Sequence, residues 1–219
     1  MKLPQLIPKG IQTEYSCGVQ LEAQRFFTGS DLVLLYKQQI LSYLEYRTAA
    51  IYHGCDSRLA ALDALQDKAM QAACVGEVDA LMVFNLAPLC SRRDIAMLGI
   101  LHRAVLKQGP KQFHSVFFAD PTATHATHRR SIKEYVDGDA TDYELPGSAP
   151  ADYIKRSALG LTAVYNMLPP AVVACNSVKQ FQSSLQRMLK QAAAAQEPNW
   201  QKLFSPRVQL HHHPLLQWH

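Results

Sequence analysis

Apolar residues recur every three or four positions in at least five separate stretches of this chain, which is the period of a helix. Strands turn alternate residues to opposite faces, so a chain patterned this way folds into helices rather than sheet. Over 31–53 the recurring positions are Leu32, Tyr36, Ile40, Tyr43, Leu44, the stem of Arg47, and Ile51. Ser30 or Asp31 is placed to cap that helix and Gly54 to stop it. A second helix is expected over about 57–74, with Leu59, Leu62, Leu65, Ala69 and Ala73 on one side and Gly76 closing it. A short helix over about 77–84 follows. Next comes a longer one over about 88–107, with Pro88 in its first turn and Gly109-Pro110 after its end.

The pattern breaks at 119–150, where Pro121, Gly138, Pro146, Gly147 and Pro150 sit among Thr, Asp and His. That composition reads as loop, with room for a short strand or hairpin at 131–145. Asp152 then starts a helix of about 152–167, stopped by Pro169-Pro170. Ser177 is placed to cap a last amphipathic helix of about 178–196, with Val178, Phe181, Leu185, Met188, Leu189 and Ala192 on its apolar stripe. No internal repeat is present. The expected fold is therefore all-α, a module of about five to six helices. An irregular lead-in at 1–29 precedes a helical lobe at 30–118; a loop-rich connector at 119–150 leads to a second helical lobe at 151–197 and an extended tail at 198–219.

With 219 residues, 48% of them hydrophobic and 18% charged, such a module buries a core without disulfides or metals. The five cysteines are odd in number and form no C-x-x-C, which argues for small buried hydrophobes in a reducing, intracellular setting. No run of 18 apolar residues exists, so no membrane-spanning helix is expected, and Pro4 and Pro8 interrupt the place of a signal peptide's apolar run.

The net charge of +4 hides an asymmetry. Residues 155–219 carry seven Lys/Arg against one acid, Glu197, whereas residues 1–154 carry 15 bases against 17 acids. The basic character belongs to the C-terminal part, and either an ordinary soluble surface or a polyanion-facing end would explain it.

Few residues suggest chemistry. His125-x-x-His128 and the run His211-His212-His213 lack the companion ligands of a zinc site. Asp137-Gly138-Asp139 reads as a solvated turn. Cys90 and His102 lie on or beside an apolar helix and read as core. There is no phosphate-cradling glycine loop and no G-x-S-x-G elbow. No catalytic site, metal or cofactor is expected.

The helix of about 88–107 says more. At 100° per residue, Arg92, Ala96, Gly99, Arg103 and Lys107 share one face, and Leu98, Leu101, His102 and Val105 lie opposite. Basic residues flanking two small ones suit a sugar-phosphate strand that approaches closely. A plain exposed face of an amphipathic helix, with Ala96 and Gly99 packing under another helix, accounts for the pattern slightly better on physical grounds alone. The last helix repeats the theme with Lys179, Ser183, Gln186, Arg187 and Lys190 away from its stripe.

Three blocks of sequence carry a resemblance. Residues 31–53, DLVLLYKQQILSYLEYRTAAIYH, and residues 77–113, EVDALMVFNLAPLCSRRDIAMLGILHRAVLKQGPKQF, resemble the helical region past the catalytic palm in reverse transcriptases of non-LTR (LINE-type) retrotransposons. Residues 164–189 are similar to the tail pattern of those proteins. The pattern is an aromatic-Asn-x-Leu-Pro followed by Val and Ser-Val-x-x-Phe-x-x-x-Leu, here Tyr165, Asn166, Leu168, Pro169, Val172, Ser177, Val178, Phe181 and Leu185. The blocks keep their order and span about residues 25–207. The resemblance implies a thumb-like lobe at 30–118 and a tail lobe after it, without the palm. The family's active site is an aromatic-Ala-Asp-Asp turn, yet this chain has no Asp-Asp pair, and Phe118-Ala119-Asp120-Pro121 matches the turn in letters only.

The expected function is that of a catalytically inactive, reverse-transcriptase-derived module. It would bind the backbone of RNA or an RNA–DNA hybrid through Arg92, Arg93, Arg103 and Lys107, with Lys179, Arg187 and Lys190 adding to the basic end. The alternative is a helical scaffold in a larger protein assembly, contacting its partner through residues 198–219.

Overall fold

The computed structural model describes residues 26–114 and 156–218. Among the described residues all regular structure is helical, as the apolar period predicts, and no strand forms. In the first stretch the elements are α1 (Gly29–Gln39), α2 (Leu41–Glu45), α3 (Thr48–Ile51), α4 (Asp56–Ala72), α5 (Glu77–Met82), α6 (Leu89–Val105) and α7 (Lys111–His114). In the second they are α8 (Gly160–Asn166), α9 (Pro170–Val173) and α10 (Val178–Ala194), then short 3-10 turns at Trp200–Lys202, Leu210–His212 and Pro214–Trp218. The loop-rich connector expected at 119–150 lies outside the described residues, as does the lead-in up to residue 25.

The chain forms two compact units: Met1–Arg47 with Asp56–Leu89, and Thr48–Cys55 with Cys90–His219. This division differs from the expected lobes of 30–118 and 151–197. Residues 90–114 belong with the second stretch because the apolar face of α6 packs on residues of α8 and α10, as described below.

In unit 1, α1 begins two residues earlier than its apolar pattern suggests. Thr28 is the N-cap, not Ser30 or Asp31. The Asp31 backbone N–H donates to Thr28 Oγ1 at 3.3 Å, and Thr28 returns its own N–H to Asp31 Oδ2 at 3.1 Å and its hydroxyl at 2.6 Å. Two backbone donors that the helix leaves unpaired are satisfied reciprocally. The Thr28 hydroxyl, and then its N–H, hold the Asp31 carboxyl below the usual carboxylate range. Gly29 is glycine for a steric reason: a Cβ there would collide with the Ala73 carbonyl at the end of α4.

The single helix expected over 31–53 is three short ones, although no Gly or Pro interrupts it. Leu32, Val33, Tyr36, Ile40, Leu41 and Leu44 all enter one buried cluster with Ala69 and Met70 of α4 and Ala73 just past its end. The backbone turns at Ile40 (φ −107°) while its N–H still reaches the Tyr36 carbonyl at 2.9 Å. Packing, not intrinsic preference, sets that break. Beyond Arg47 the chain enters unit 2. Polar ties finish the core of unit 1. Buried Gln66 accepts from Tyr36 Oη at 3.3 Å and donates to the Ala87 carbonyl at 3.1 Å, and Lys37 Nζ donates to the Phe84 carbonyl at 2.8 Å.

Among the described residues the three longest helices, α4, α6 and α10, run 17 residues each and end in the same way. Two residues past each helix, Cys74, Lys107 and Gln196 hold φ of 53°, 59° and 54°. In each case the next N–H reaches back five residues: Val75 to Met70, Gln108 to Arg103, and Glu197 to Ala192, each at 3.0 Å. This is the left-handed C-terminal turn that glycine usually fills, here built three times without it. The glycines expected as stops lie further on, and Gly76 instead begins α5 as its N-cap.

The segment after Asn199 is not extended. Trp200, Leu203, Phe204 and Leu215 are at most 6% exposed, so residues 199–218 contribute to the core of unit 2. Their apolar residues fall at irregular spacing because the segment turns in short 3-10 pieces, which is why no period betrays it. Pro170, expected as a stop, also serves as the first residue of α9, where its missing N–H costs nothing.

Candidate nucleic-acid interface

Two helices of unit 2, α6 with the turn after it and α10, place the basic residues that the sequence singles out. α10 contains no acid, and its buried stripe of Phe181, Leu185, Met188, Leu189 and Ala192 fixes which way it faces. Lys179, Ser183 and Arg187 are exposed and Lys190 is half-buried. At 100° per residue these four positions fall within an arc of about 80°. Their helix spacing brings Lys179, Arg187 and Lys190 onto one outward face.

The stripe on α6 does not survive intact. Arg103 is exposed and Arg92 half-buried, but Gly99 is buried, and a Cβ added to it would strike the side chain of Gln182 on α10. The small residue there admits a neighbouring helix rather than a sugar-phosphate strand. Lys107 is exposed but lies past the helix end, in the left-handed turn. Arg93 is 5% exposed and so belongs to the interior, a correction to its expected place on the basic surface.

Arg93 lies by a buried polar cluster that the sequence does not reveal. Tyr52 Oη donates to Asp94 Oδ1 at 2.6 Å. Arg207 donates through one nitrogen to the carbonyls of Tyr52 (2.8 Å) and Gly54 (3.1 Å). Burial, then the charge of Asp94 and its hydrogen bond, push the Tyr52 phenol well above its usual value, while Arg207 and Arg93 pull it back. The cluster ties residues 48–55 to α6 and the C-terminal segment. Its residues are too far apart in sequence for any spacing rule to join them.

Cys90 and His102, the weakest catalytic candidates, do not pair. They are 12 residues apart on one helix, about 18 Å along its axis. The Cys90 thiol lies 3.7 Å from the Gln201 carbonyl, which also accepts from Ser91 Oγ at 2.6 Å. His102 is fully buried between Tyr165 Oη, 2.8 Å from Nδ1, and the Cys175 carbonyl, 2.9 Å from Nε2. A carbonyl only accepts, so Nε2 carries a proton, and a neutral ring then accepts from Tyr165. The pairing is structural, as its helix face suggests.

Among the described residues no group of three His, Cys, Asp or Glu could hold a metal ion. Asp120, His125, His128 and the Asp137-Gly138-Asp139 turn lie outside them. No described helix is long and apolar enough to cross a membrane.

Charge separates between the units more sharply than along the sequence. Of the described residues, unit 1 holds four Lys/Arg and seven Asp/Glu, while unit 2 holds eleven Lys/Arg and two acids, Asp94 and Glu197. Asp94 is buried against Tyr52. Along the sequence the asymmetry divides at residue 154; in the fold the bases of α6 join the C-terminal ones in unit 2.

Compared with protein-family models, curated proteins and solved structures, the chain finds no match.

Proposed function

We propose that this chain is a catalytically inactive helical module that binds the phosphate backbone of RNA or an RNA–DNA hybrid through unit 2. The observation that carries the reading is the outward face of α10, where Lys179, Arg187 and Lys190 share an arc with no acid anywhere in the helix. Exposed Arg103 and Lys107 add to the surplus of positive charge on the same unit. Lysine and arginine without an aromatic partner on that face suit phosphate contacts and no base readout, so binding is sequence-independent and salt-sensitive. The resemblance of residues 31–53, 77–113 and 164–189 to the region past the palm of non-LTR reverse transcriptases supports the same polyanion. The missing Asp-Asp pair supports inactivity. The scaffold reading loses the free arm it relied on, because residues 199–218 are folded into unit 2.

The test is a salt titration of binding to a labelled RNA–DNA hybrid. Non-specific dissociation constants of about micromolar or weaker are expected, with a log–log salt slope that falls by about one for each phosphate contact removed. Replacing Lys179, Arg187 and Lys190 together by Ala therefore lowers the slope by about three. Absence of binding at low salt, or binding untouched by the triple variant, overturns the assignment. Templated primer extension by the purified chain with Mg²⁺ or Mn²⁺ would overturn the inactive half of the reading.

A further inference from the structure

The C-terminal segment is tied to the rest of unit 2 at two places and folded back on itself at a third, which is built around an ionisable ring. The first is Gln201, whose carbonyl accepts from Ser91 Oγ on α6 at 2.6 Å. The second is Arg207, whose guanidinium donates to the carbonyls of Tyr52 and Gly54. The third is His213, 2% exposed, with Nε2 3.2 Å from the Ser205 carbonyl and Nδ1 3.3 Å from the Leu215 backbone nitrogen. The serine hydroxyl and the arginine keep their protonation states across the range where imidazole titrates.

Both neighbours of His213 are backbone groups with fixed roles. The Ser205 carbonyl accepts, so Nε2 is protonated; the Leu215 N–H donates, so Nδ1 must be bare. The fit admits one tautomer and no imidazolium. A proton on Nδ1 would set N–H against N–H at 3.3 Å and leave the Leu215 donor buried without a partner. Leu215 is itself fully buried, so losing the ring's grip loosens an apolar anchor at the same point.

We propose that His213 is an acid-operated latch, and that protonating its ring releases the end of the chain beyond Arg207, residues 208–218, while the rest of unit 2 stays folded. Release stops at Arg207 because the anchors at Gln201 and Arg207 do not titrate. The charged and titratable neighbours of the latch are few. His211 and His212, both exposed, share its segment, and their rings lie 4.2 Å apart. Arg207 follows Ser205 and is committed to the carbonyls of residues 52 and 54. Burial favours the neutral ring, the Ser205 carbonyl opposes it more weakly, and the balance lies toward neutral.

The chain has two tryptophans, Trp200 before the second anchor and Trp218 on the proposed mobile end, so Trp218 is a built-in reporter. In a Trp200→Phe background, acrylamide quenching of Trp218 is followed from about pH 8 to about pH 5 beside far-UV circular dichroism. The expected result is quenching that rises about twofold as the ring charges while the helical signal holds, a local opening and not unfolding. His213→Gln keeps a donor for the Ser205 carbonyl and cannot take up a proton, and it should flatten the rise. His211→Gln with His212→Gln should leave it intact. Hydrogen exchange at the Leu215 amide in the unmodified protein, corrected for its intrinsic pH dependence, gives the same reading without any substitution. A Leu215 amide equally protected at both ends of the range overturns the latch. So does quenching that rises unchanged in His213→Gln, or helical signal lost in step with it.

Discussion

The His102 ring lies flat on Phe181, with centroids 4.1 Å apart and planes 7° from parallel. Tyr165 tilts against the same phenylalanine at 5.7 Å and hydrogen-bonds the imidazole. One contact thus joins α6, α8 and α10, and the Cys175 carbonyl closes the other side of the ring. This is the centre of unit 2, and it explains why residues 90–105 fold with residues from past 156 rather than with their sequence neighbours.

Removing half of that arrangement is costly in a graded way. Tyr165→Phe keeps the ring packing and deprives His102 Nδ1 of its partner, so a loss of about 1–2 kcal/mol is expected. His102→Leu strands both the Tyr165 hydroxyl and the Cys175 carbonyl and should cost more, about 2–4 kcal/mol. Urea denaturation followed by circular dichroism checks both, and a loss no greater for His102→Leu than for Tyr165→Phe contradicts the shared role.

Thr162 offers the opposite case. Its hydroxyl is buried in α8 with no hydrogen-bond partner. Thr162→Val fills the same space without the stranded oxygen, so a gain of about 1 kcal/mol is expected. A destabilised Thr162→Val in the same denaturation assay would mean that the hydroxyl is satisfied after all.

The helix ends make a second set of gains. Cys74, Lys107 and Gln196 each hold a left-handed backbone that disfavours a Cβ. Glycine at any of them relieves that strain against its own greater unfolded freedom, for a net gain of about 0.5–1 kcal/mol each. The three sites lie on different helices, so the gains should add. Thermal melts of the single and triple glycine variants test this, and a fall in melting temperature for all three refutes it.

The helical class, and the apolar faces of α4, α6 and α10, were legible because amphipathic helices write their core face at a fixed period. What escaped was non-periodic. The break at Ile40 has no Gly or Pro to mark it, since packing of α1 and α2 on α4 bends the chain there. The cluster of Tyr52, Asp94 and Arg207 joins residues 42 to 155 positions apart, and local spacing carries no trace of that. Arg93 next to Arg92 reads as surface charge; only the direction of the α6 apolar face turns one of two adjacent arginines inward. The basic face of α10 was readable, since its polar positions are what remains once the apolar stripe is drawn.

Acid stability has a carboxylate that works against the fold. The Asp67 side chain on α4 is exposed, yet partial desolvation first, and then the charges of Glu77 and Asp63, hold its carboxyl above the usual carboxylate range. A raised carboxyl means the folded state binds the proton more tightly than the unfolded one, so ionised Asp67 lowers stability at neutral pH and stops doing so as acid protonates it. Asp67→Asn should therefore raise the melting temperature near neutral pH. The advantage should fade as the pH falls through the raised folded-state value and be gone below the unfolded value of about 4. An equal advantage at both ends of that titration would exclude the charge as its cause.

Gly99 separates the two uses of the α6 face. Its missing side chain makes room for Gln182, whose Cδ would lie 2.9 Å and Cγ 3.2 Å from an added Cβ. Gln182 is a flexible side chain, so alanine at 99 can be accommodated by its movement, while leucine cannot. Gly99→Leu should cost about 1–3 kcal/mol from overpacking. Pairing it with Gln182→Ala should recover part of that loss, because the two positions share one space and their effects do not add. The salt slope of nucleic-acid binding should stay where the α10 lysines and arginine set it. Were Gly99→Leu to weaken binding with the melt unmoved, this face of α6 would be a contact for the nucleic acid, and the helix pairing through Gln182 would not be what keeps residue 99 small.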